Sequence, residues 1–169
     1  MKNVLITGAN SFVGTAVKQY LDSYPDKYTV TAVGMKNGEW RDLLFSAFDS
    51  VYHVAGLAHA DVGRVSEEIK EKYYAINRDL AIEVAKKAKT EGVKQFIFMS
   101  SAIVYGDSAP IGKQKIITRE TKCSPANFYG DSKIHAEKGL LKLEDENFRV
   151  VILLPYDLWA WRERQFSCS

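Results

Sequence analysis

Short apolar stretches rich in β-branched residues alternate along this chain with longer, more polar ones. The apolar runs cover residues 3–7, 28–33, 51–55, 94–100 and 149–154. They are nearly continuous in apolar residues rather than alternating, the pattern of strands buried on both faces. Between them, residues 12–22, 67–91 and 128–144 carry helical spacing. Tyr73, Ile76, Leu80 and Val84 fall at steps of three and four, and Leu140 and Leu143 share one side of the last stretch. Strands and helices in this alternation predict a parallel sheet covered on both faces. Right-handed crossovers make it doubly wound. Residues 36–47 follow neither period; Gly38 and the Trp40-Arg41-Asp42 group predict a loop with a short strand or turn. There is no internal repeat, low-complexity tract or interdomain linker.

The junction of the first strand and first helix carries the clearest chemistry. Val4-Leu5-Ile6 runs into Thr7-Gly8-Ala9-Asn10-Ser11-Phe12-Val13-Gly14 and then into a helix. Gly8 permits the tight turn, Gly14 lets the helix approach the sheet, and the helix N-terminus turns amides and its positive end toward a pyrophosphate. The expected dinucleotide contacts are Gly8, Asn10, Ser11, Phe12, Val13 and Gly14. Ser11 stands where the usual pattern has its middle glycine, so the loop alone also reads as an ordinary strand–turn–helix corner with two glycines.

Composition adds limits rather than direction. With 169 residues the chain makes about one domain. Its net charge of +2 comes from interspersed Lys, Arg, Asp and Glu, which argues against a nucleic acid or an anionic membrane as main partner. No apolar run approaches the roughly 18 residues of a membrane span. The first strand starts directly after Met1-Lys2, leaving no room for a signal peptide. Cys123 and Cys168 have no metal-ligand spacing around them and read as reduced thiols. The expected compartment is the cytoplasm, and no metal is expected.

The fourth apolar run ends in Met99-Ser100-Ser101-Ala102-Ile103-Val104-Tyr105-Gly106, and Tyr129-Gly130-Asp131-Ser132-Lys133 opens the last helical stretch. Tyr129 and Lys133 stand at i and i+4, on one helical face. A phenol with a pKa near 10 is a poor base unless a nearby cation favours its phenolate, and Lys133 can supply one. Ser101, at a strand's carboxyl end, can hydrogen-bond the same substrate oxygen; ligand chemistry belongs at that edge of an open parallel sheet. Taken singly, Tyr129 reads as a core aromatic and Lys133 as a surface charge. His53 reads as a core histidine, His59 and His135 as loop and surface residues.

In order and spacing, these residues resemble the extended short-chain dehydrogenase/reductases, specifically the NAD-dependent epimerase/dehydratase group acting on nucleotide sugars. The resemblance rests on Thr7-Gly8…Gly14, His53-Val54-Ala55-Gly56, Asn77, Ser100-Ser101…Val104-Tyr105-Gly106, Glu120, Pro125 and Tyr129…Lys133. It runs from residue 2 to about 154 and implies a Rossmann fold binding NAD. It further implies Tyr129 as acid/base, Lys133 as its pKa-lowering partner and ribose ligand, and Ser101 as substrate hydrogen-bond partner. Ala55 and Gly56 would line the cofactor, and Asn77 would brace the wall of the site. Glu39 and Trp40 would bracket the adenine. The implied chemistry is transient hydride transfer at a sugar carbon, as an epimerase or a simple reductase. In the dehydratase branch Asp-Glu follows the Ser/Thr; here Ala102 and Ile103 stand there and cannot move protons.

Three departures change what is expected. NAD-preferring members end the second strand with a ribose-binding Asp, whereas Val33 is followed here by Gly34-Met35-Lys36, so NADP is open beside NAD and Lys36 is a candidate for a 2′-phosphate. The family follows its Rossmann half with a substrate domain, and only residues 155–169 follow the last strand, an atypical tail. A dinucleotide-binding module without turnover is therefore the alternative to an enzyme. Finally, residues 155–166 lack the family's Arg-Pro-x-x-Val/Ile-Tyr-Gly. With freely chosen codons, a one-base shift restores Pro-Met-Ile-Tyr-Gly-His-Gly; only the glycines forced by Trp159 and Trp161 are independent of that choice. The expectation is a frame-shifted tail and bare apolar surface favouring a homo-oligomer; the other reading is a natural tail with both tryptophans packed on the sheet.

Overall fold

The computed structural model describes residues 1–58, 65–107, 109–110, 112–118 and 120–155. Five strands form one parallel sheet: β1 (Lys2–Thr7), β2 (Tyr28–Val33), β3 (Ser50–His53), β4 (Gln95–Met99) and β5 (Arg149–Leu153), in the order β2-β1-β3-β4-β5. These lie on the five apolar runs, with ends moved by a residue or two. The connections are α1 (Phe12–Asp22), α2 (Glu67–Tyr74), α3 (Leu80–Thr90) and α4 (Phe128–Leu141). The doubly wound Rossmann-type sheet anticipated from the alternation is present.

Alternate residues of each strand feed the two faces. Leu5, Val51, Phe96 and Phe98 point into the larger core with α3 and α4, whose Ala81, Val84, Ala85, Ala88, Ala136 and Leu140 are fully buried. On α3 these alanines and Val84 fall at i, i+3, i+4 and i+7, and their small side chains let the helix lie close to the sheet. Val4, Ile6 and Tyr52 face the other way, against Val13, Val17 and Leu21 of α1.

Two segments depart from the sequence pattern. The stretch 67–91 is not one uninterrupted α-helix: a π-helical turn, Ala75–Asp79, separates α2 from α3. That turn contains Asn77, which is fully buried. Residues 36–47 form no strand but two short 3-10 turns, Glu39–Arg41 and Phe45–Ala47, which drive Trp40 and Phe45 into the core. Both rings belong to the larger core, and the Phe45–Ala47 turn packs against α3.

Strand order reverses between β1 and β3, so the chain leaves their carboxyl ends in opposite directions and opens a crevice there. His59, Trp159, Trp161, Cys168 and the C-terminal segment from residue 156 lie outside the described residues, as does the expectation of a frame-shifted tail. Among the described residues, no helix is long and apolar enough to cross a membrane, and no group of His, Cys, Asp or Glu side chains is placed to hold a metal ion.

Candidate active site

The floor of the crevice is backbone. Gly8 takes φ +102°, and a Cβ there would fall 2.8 Å from the amide nitrogen of Ala55. The loops leaving β1 and β3 therefore touch main chain to main chain. A Cβ on Gly14 would stand 2.5 Å from the carbonyl oxygen of Gly8 and 2.9 Å from Ser11 Oγ. Glycine is required at both positions, the first by conformation and contact, the second by contact alone. Ser11 is different: its backbone is extended and its Oγ accepts the Gly14 amide at 3.0 Å, capping α1. A serine where the pattern has its middle glycine is thus an N-cap. The cap occupies the Gly14 amide, so only part of the expected Ser11–Gly14 amide row faces outward.

Around this turn, Asn10 and Phe12 are exposed, while Val13 packs into the smaller core. The first turn of α1 carries no acidic side chain, unlike α2 with Glu67 and Glu68, so its positive end is not neutralised from within. The Gly8 and Ala9 amides both donate to Val33 O, at 2.9 and 3.1 Å, which ties the loop to the end of β2. Just beyond, a Cβ on Gly34 would meet nothing within 4 Å, and Lys36 is exposed. A turn with an uncompensated helix N-terminus and open space at the end of β2 fits a dinucleotide. The expectation for Trp40 needs correcting. Its ring is 1% exposed, packed on Phe45 and covered by the Arg41 guanidinium at 4.5 Å, so it offers no face to an adenine; Glu39 is exposed beside it.

The second wall is built by α4. Asn127 caps it, Oδ1 accepting the Gly130 amide at 3.0 Å, and a Cβ on Gly130 would lie 3.1 Å from Ile103 O. The missing side chain lets the helix start close against the 3-10 turn Ala102–Tyr105 that follows β4. Tyr129 and Ser101 come together there, close enough for the Ser101 hydroxyl to act on the phenol. Burial raises the Tyr129 pKa above its usual 10.0, the Ser101 hydroxyl lowers it, and Tyr73, packed edge-on at 6.2 Å, raises it. Lys133 is 5% exposed. Its ammonium donates to Met99 O at 2.9 Å and lies 4.7 Å above the Phe98 ring. Burial pulls its pKa down to about 8, against an opposing pull from Glu137. The ammonium implied to hold Tyr129 low is thus turned to the exit of β4, and burial outweighs Ser101 in setting the phenol.

Asn77 joins three elements. Its Oδ1 accepts the Leu57 amide at 2.7 Å, and its Nδ2 donates to Leu57 O and to Ser132 Oγ, both at 3.1 Å. A Cβ on Gly56 would sit 3.0 Å from Asn77 Oδ1 and 3.2 Å from Lys133 Nζ. The Ala55-Gly56 loop therefore passes directly over the lysine, braced by the asparagine. His53 lies beneath, fully buried, with Nδ1 2.7 Å from Thr7 Oγ1. Burial first, and the Lys133 charge second, bring its pKa down to about 3, so it is neutral. This is the core histidine expected. His135 is half exposed at the surface beside Asp131.

Two residues of the site were not anticipated: Ser100, whose hydroxyl donates to Glu137, and Glu137 itself. The available signal was the i+4 step from Lys133 to Glu137, on the face that carries Tyr129. A cavity of about 260 Å³ opens beside Ser101, lined by Ala102, Ile103, Asp107, Lys115 and Pro155 among others.

The model of the NAD dependent epimerase/dehydratase family matches residues 4–166, including most of the segment that lacks the family's Arg-Pro-x-x-Val/Ile-Tyr-Gly. UDP-glucose 4-epimerase of Vibrio cholerae is 32% identical over 170 residues, 91% of this chain and 51% of that protein. Among solved structures, RMD from Pseudomonas aeruginosa complexed with NADPH superposes with a TM-score of 0.77 at 24% identity, over 93% of this chain and 55% of that one. UDP-glucuronic acid 4-epimerase from Bacillus cereus in complex with UDP-glucuronic acid and NAD gives 0.71 at 20%, over 90% and 55%. The chain spans about half the length of the curated relatives it matches. The chain belongs to the NAD dependent epimerase/dehydratase family.

Proposed function

We propose that this chain binds a nicotinamide dinucleotide in the β1/β3 crevice and that the whole protein interconverts nucleotide sugars by transient oxidation at a sugar carbon. The observation that carries this reading is the meeting of Ser101, Tyr129 and Lys133 at the end of β4, beside a glycine-built turn at the switch point. Gly8, Asn10, Ser11, Phe12, Val13 and Gly14 hold the pyrophosphate side. Ala55, Gly56 and Lys133 hold the nicotinamide ribose, and Glu39 stands near the adenosine end. NAD is the expected cofactor. When bound, it supplies a hydride acceptor and returns the hydride.

The side chains then divide the proton work. Ser101 hydrogen-bonds the reacting sugar oxygen and keeps it at Tyr129. As phenolate, Tyr129 takes the hydroxyl proton while the carbon gives up hydride, leaving a carbonyl. As phenol, it returns that proton when hydride comes back. Proton return by Tyr129 after the keto sugar has turned would complete an epimerisation; protonation of a keto sugar taken from outside would complete a reduction. Burial favours the phenol at rest, so the base form needs a positive charge near it, and Lys133 is placed one helical turn away. Ala102 and Ile103, in the cavity beside Ser101, give no acid or base for dehydration.

Binding and turnover are tested separately. Intrinsic-fluorescence titration with NAD, NADH, NADP and NADPH should give saturable binding, lost in Gly14→Asp, which places bulk and negative charge at the turn. Turnover of a nucleotide sugar by the whole protein should fall at least about 10²-fold in Tyr129→Phe. Unchanged binding in the first variant moves the cofactor elsewhere; unchanged turnover in the second removes Tyr129 from the chemistry. Saturable binding with no turnover of any nucleotide sugar supports a binding module. Self-association is read from the sedimentation of the same protein.

A further inference from the structure

We propose that Glu137, anchored by the Ser100 hydroxyl, is a positioning residue that keeps the Lys133 ammonium charged and locks α4 onto the exit of β4. Tyr129, Lys133 and Glu137 stand at i, i+4 and i+8, one face over three turns of α4. Each reaches the same short segment: Lys133 donates to Met99 O, Glu137 accepts from Ser100, and Tyr129 lies where the Ser101 hydroxyl acts on its phenol. The last residue of β4 and the two that follow are thus each tied to a successive turn of one helix. These two neighbouring ties set the spacing of Ser101 from Tyr129.

The electrostatics give the carboxylate a second role. A lysine ammonium this deeply buried is held in the charged form only by what surrounds it. On its own helix Glu137 acts on it, while Tyr129 stands one turn away. From β4 it has the Met99 carbonyl and the Phe98 ring, and from β3 the neutral His53. The loop over it brings Gly56, and the π turn brings the uncharged Asn77. Glu137 is the one carboxylate that acts on it among the described residues, opposing the effect of burial. Around Glu137 lie Ser100, Lys133, Tyr105 and Cys123, with Lys138 acting on the same thiol. Burial raises the Glu137 pKa, and both the Ser100 hydroxyl and the Lys133 charge bring it back down. The anchor therefore opposes the effect of burial on the carboxylate, and the carboxylate opposes the effect of burial on the ammonium. The Glu137–Lys133 contact is through space: they share no direct ion pair, and each is bonded instead to the β4 exit.

The test uses the chain without cofactor. The Cε and Hε resonances of Lys133 are followed against pH in protein labelled at lysine, for the parent, Glu137→Gln, Glu137→Asp and Ser100→Ala. Glu137→Gln keeps an acceptor for Ser100 and removes only the charge; the Lys133 midpoint should fall by about one pH unit. Glu137→Asp should recover part of that shift. Ser100→Ala leaves the carboxylate but frees it, so the Lys133 midpoint should fall by a smaller amount while that of Glu137 rises. A Lys133 midpoint unmoved in folded Glu137→Gln overturns the proposal. If that variant does not fold, unmoved Lys133 and Glu137 midpoints in Ser100→Ala do the same. The role matters for catalysis only if the dinucleotide reading holds, and the two fail differently. A parent that binds no dinucleotide yet shows the midpoint shifts loses the proposed function and keeps the Glu137–Lys133 coupling.

Discussion

Replacing Lys133 by Met should make this protein more stable at neutral pH. The side chain is 5% exposed, and its pKa is brought down from 10.5 to about 8. A difference of that size corresponds to about 3 kcal/mol of folding free energy lost to burying the ammonium at pH 7. The sign follows from proton counting. Between about pH 8 and 10.5 the unfolded chain holds the lysine proton and the folded one has released it, so the parent gains stability as pH rises through that window. Methionine keeps the apolar stem and removes the charge, but it leaves Met99 O without its donor, a loss of about 1 kcal/mol. The variant should therefore exceed the parent by about 2 kcal/mol at pH 7, and the gap should close near pH 9.5. Urea unfolding of both proteins at pH 7, 8.5 and 9.5 measures it, and taking the difference cancels the titration of the tyrosines. A variant less stable than the parent at pH 7, or a gap that does not change with pH, would refute the reasoning. Confirmation would mark Lys133 as a residue kept at a cost to stability, the behaviour expected of a functional group.

Other substitutions probe the remaining parts of the site. The neutral, buried His53, with its pKa down to about 3, contributes stability that is present above pH 6.5 and lost as pH falls toward 3. The stability gap between parent and His53→Asn should narrow by about 3 kcal/mol between pH 6.5 and 4; parallel urea curves would contradict this. Gly14→Ala places a Cβ 2.5 Å from Gly8 O and should lower the unfolding free energy by about 1–3 kcal/mol while weakening dinucleotide binding. A variant as stable as the parent would mean the turn can yield. Gly34→Asp enters open space, so stability should stay within about 0.5 kcal/mol. Its carboxylate at the end of β2 should favour NAD over NADP by at least about tenfold relative to the parent, and an unchanged affinity ratio would remove the ribose from that position.

Positions fixed by local chemistry are legible in the sequence. The strand runs, the Gly8 and Gly14 turn and the Tyr129–Lys133 step are each fixed by backbone or helical geometry within a few positions. What escaped depends on distant partners. Trp40 sits among polar residues in a segment without period, and only the larger core draws its ring inward. The π turn at Asn77 leaves the hydrophobic spacing of 67–91 almost untouched, yet it seats a buried amide on Leu57 and Ser132. Ser11 read as an imperfect glycine, because capping depends on an extended backbone that sequence does not display. Glu137 beside Lys133 looks like an ordinary surface pair on a helix. Its partner, Ser100, comes from just beyond β4, far back in the chain. The direction of the Lys133 ammonium, toward Met99 O rather than Tyr129, is set by packing against Phe98 and Gly56.

The central claim is that a nicotinamide dinucleotide lies across the carboxyl ends of β1 and β3 with its nicotinamide end toward Tyr129. The most direct measurement is an amide NMR titration of the chain with NAD, with Tyr129→Phe as a second sample. The account predicts saturable shifts concentrated at Gly8, Ser11, Gly14, Ala55 and Gly56, a Lys133 signal that moves with them, and the same pattern in Tyr129→Phe. Saturable shifts located elsewhere, or no shifts at millimolar NAD, would contradict it.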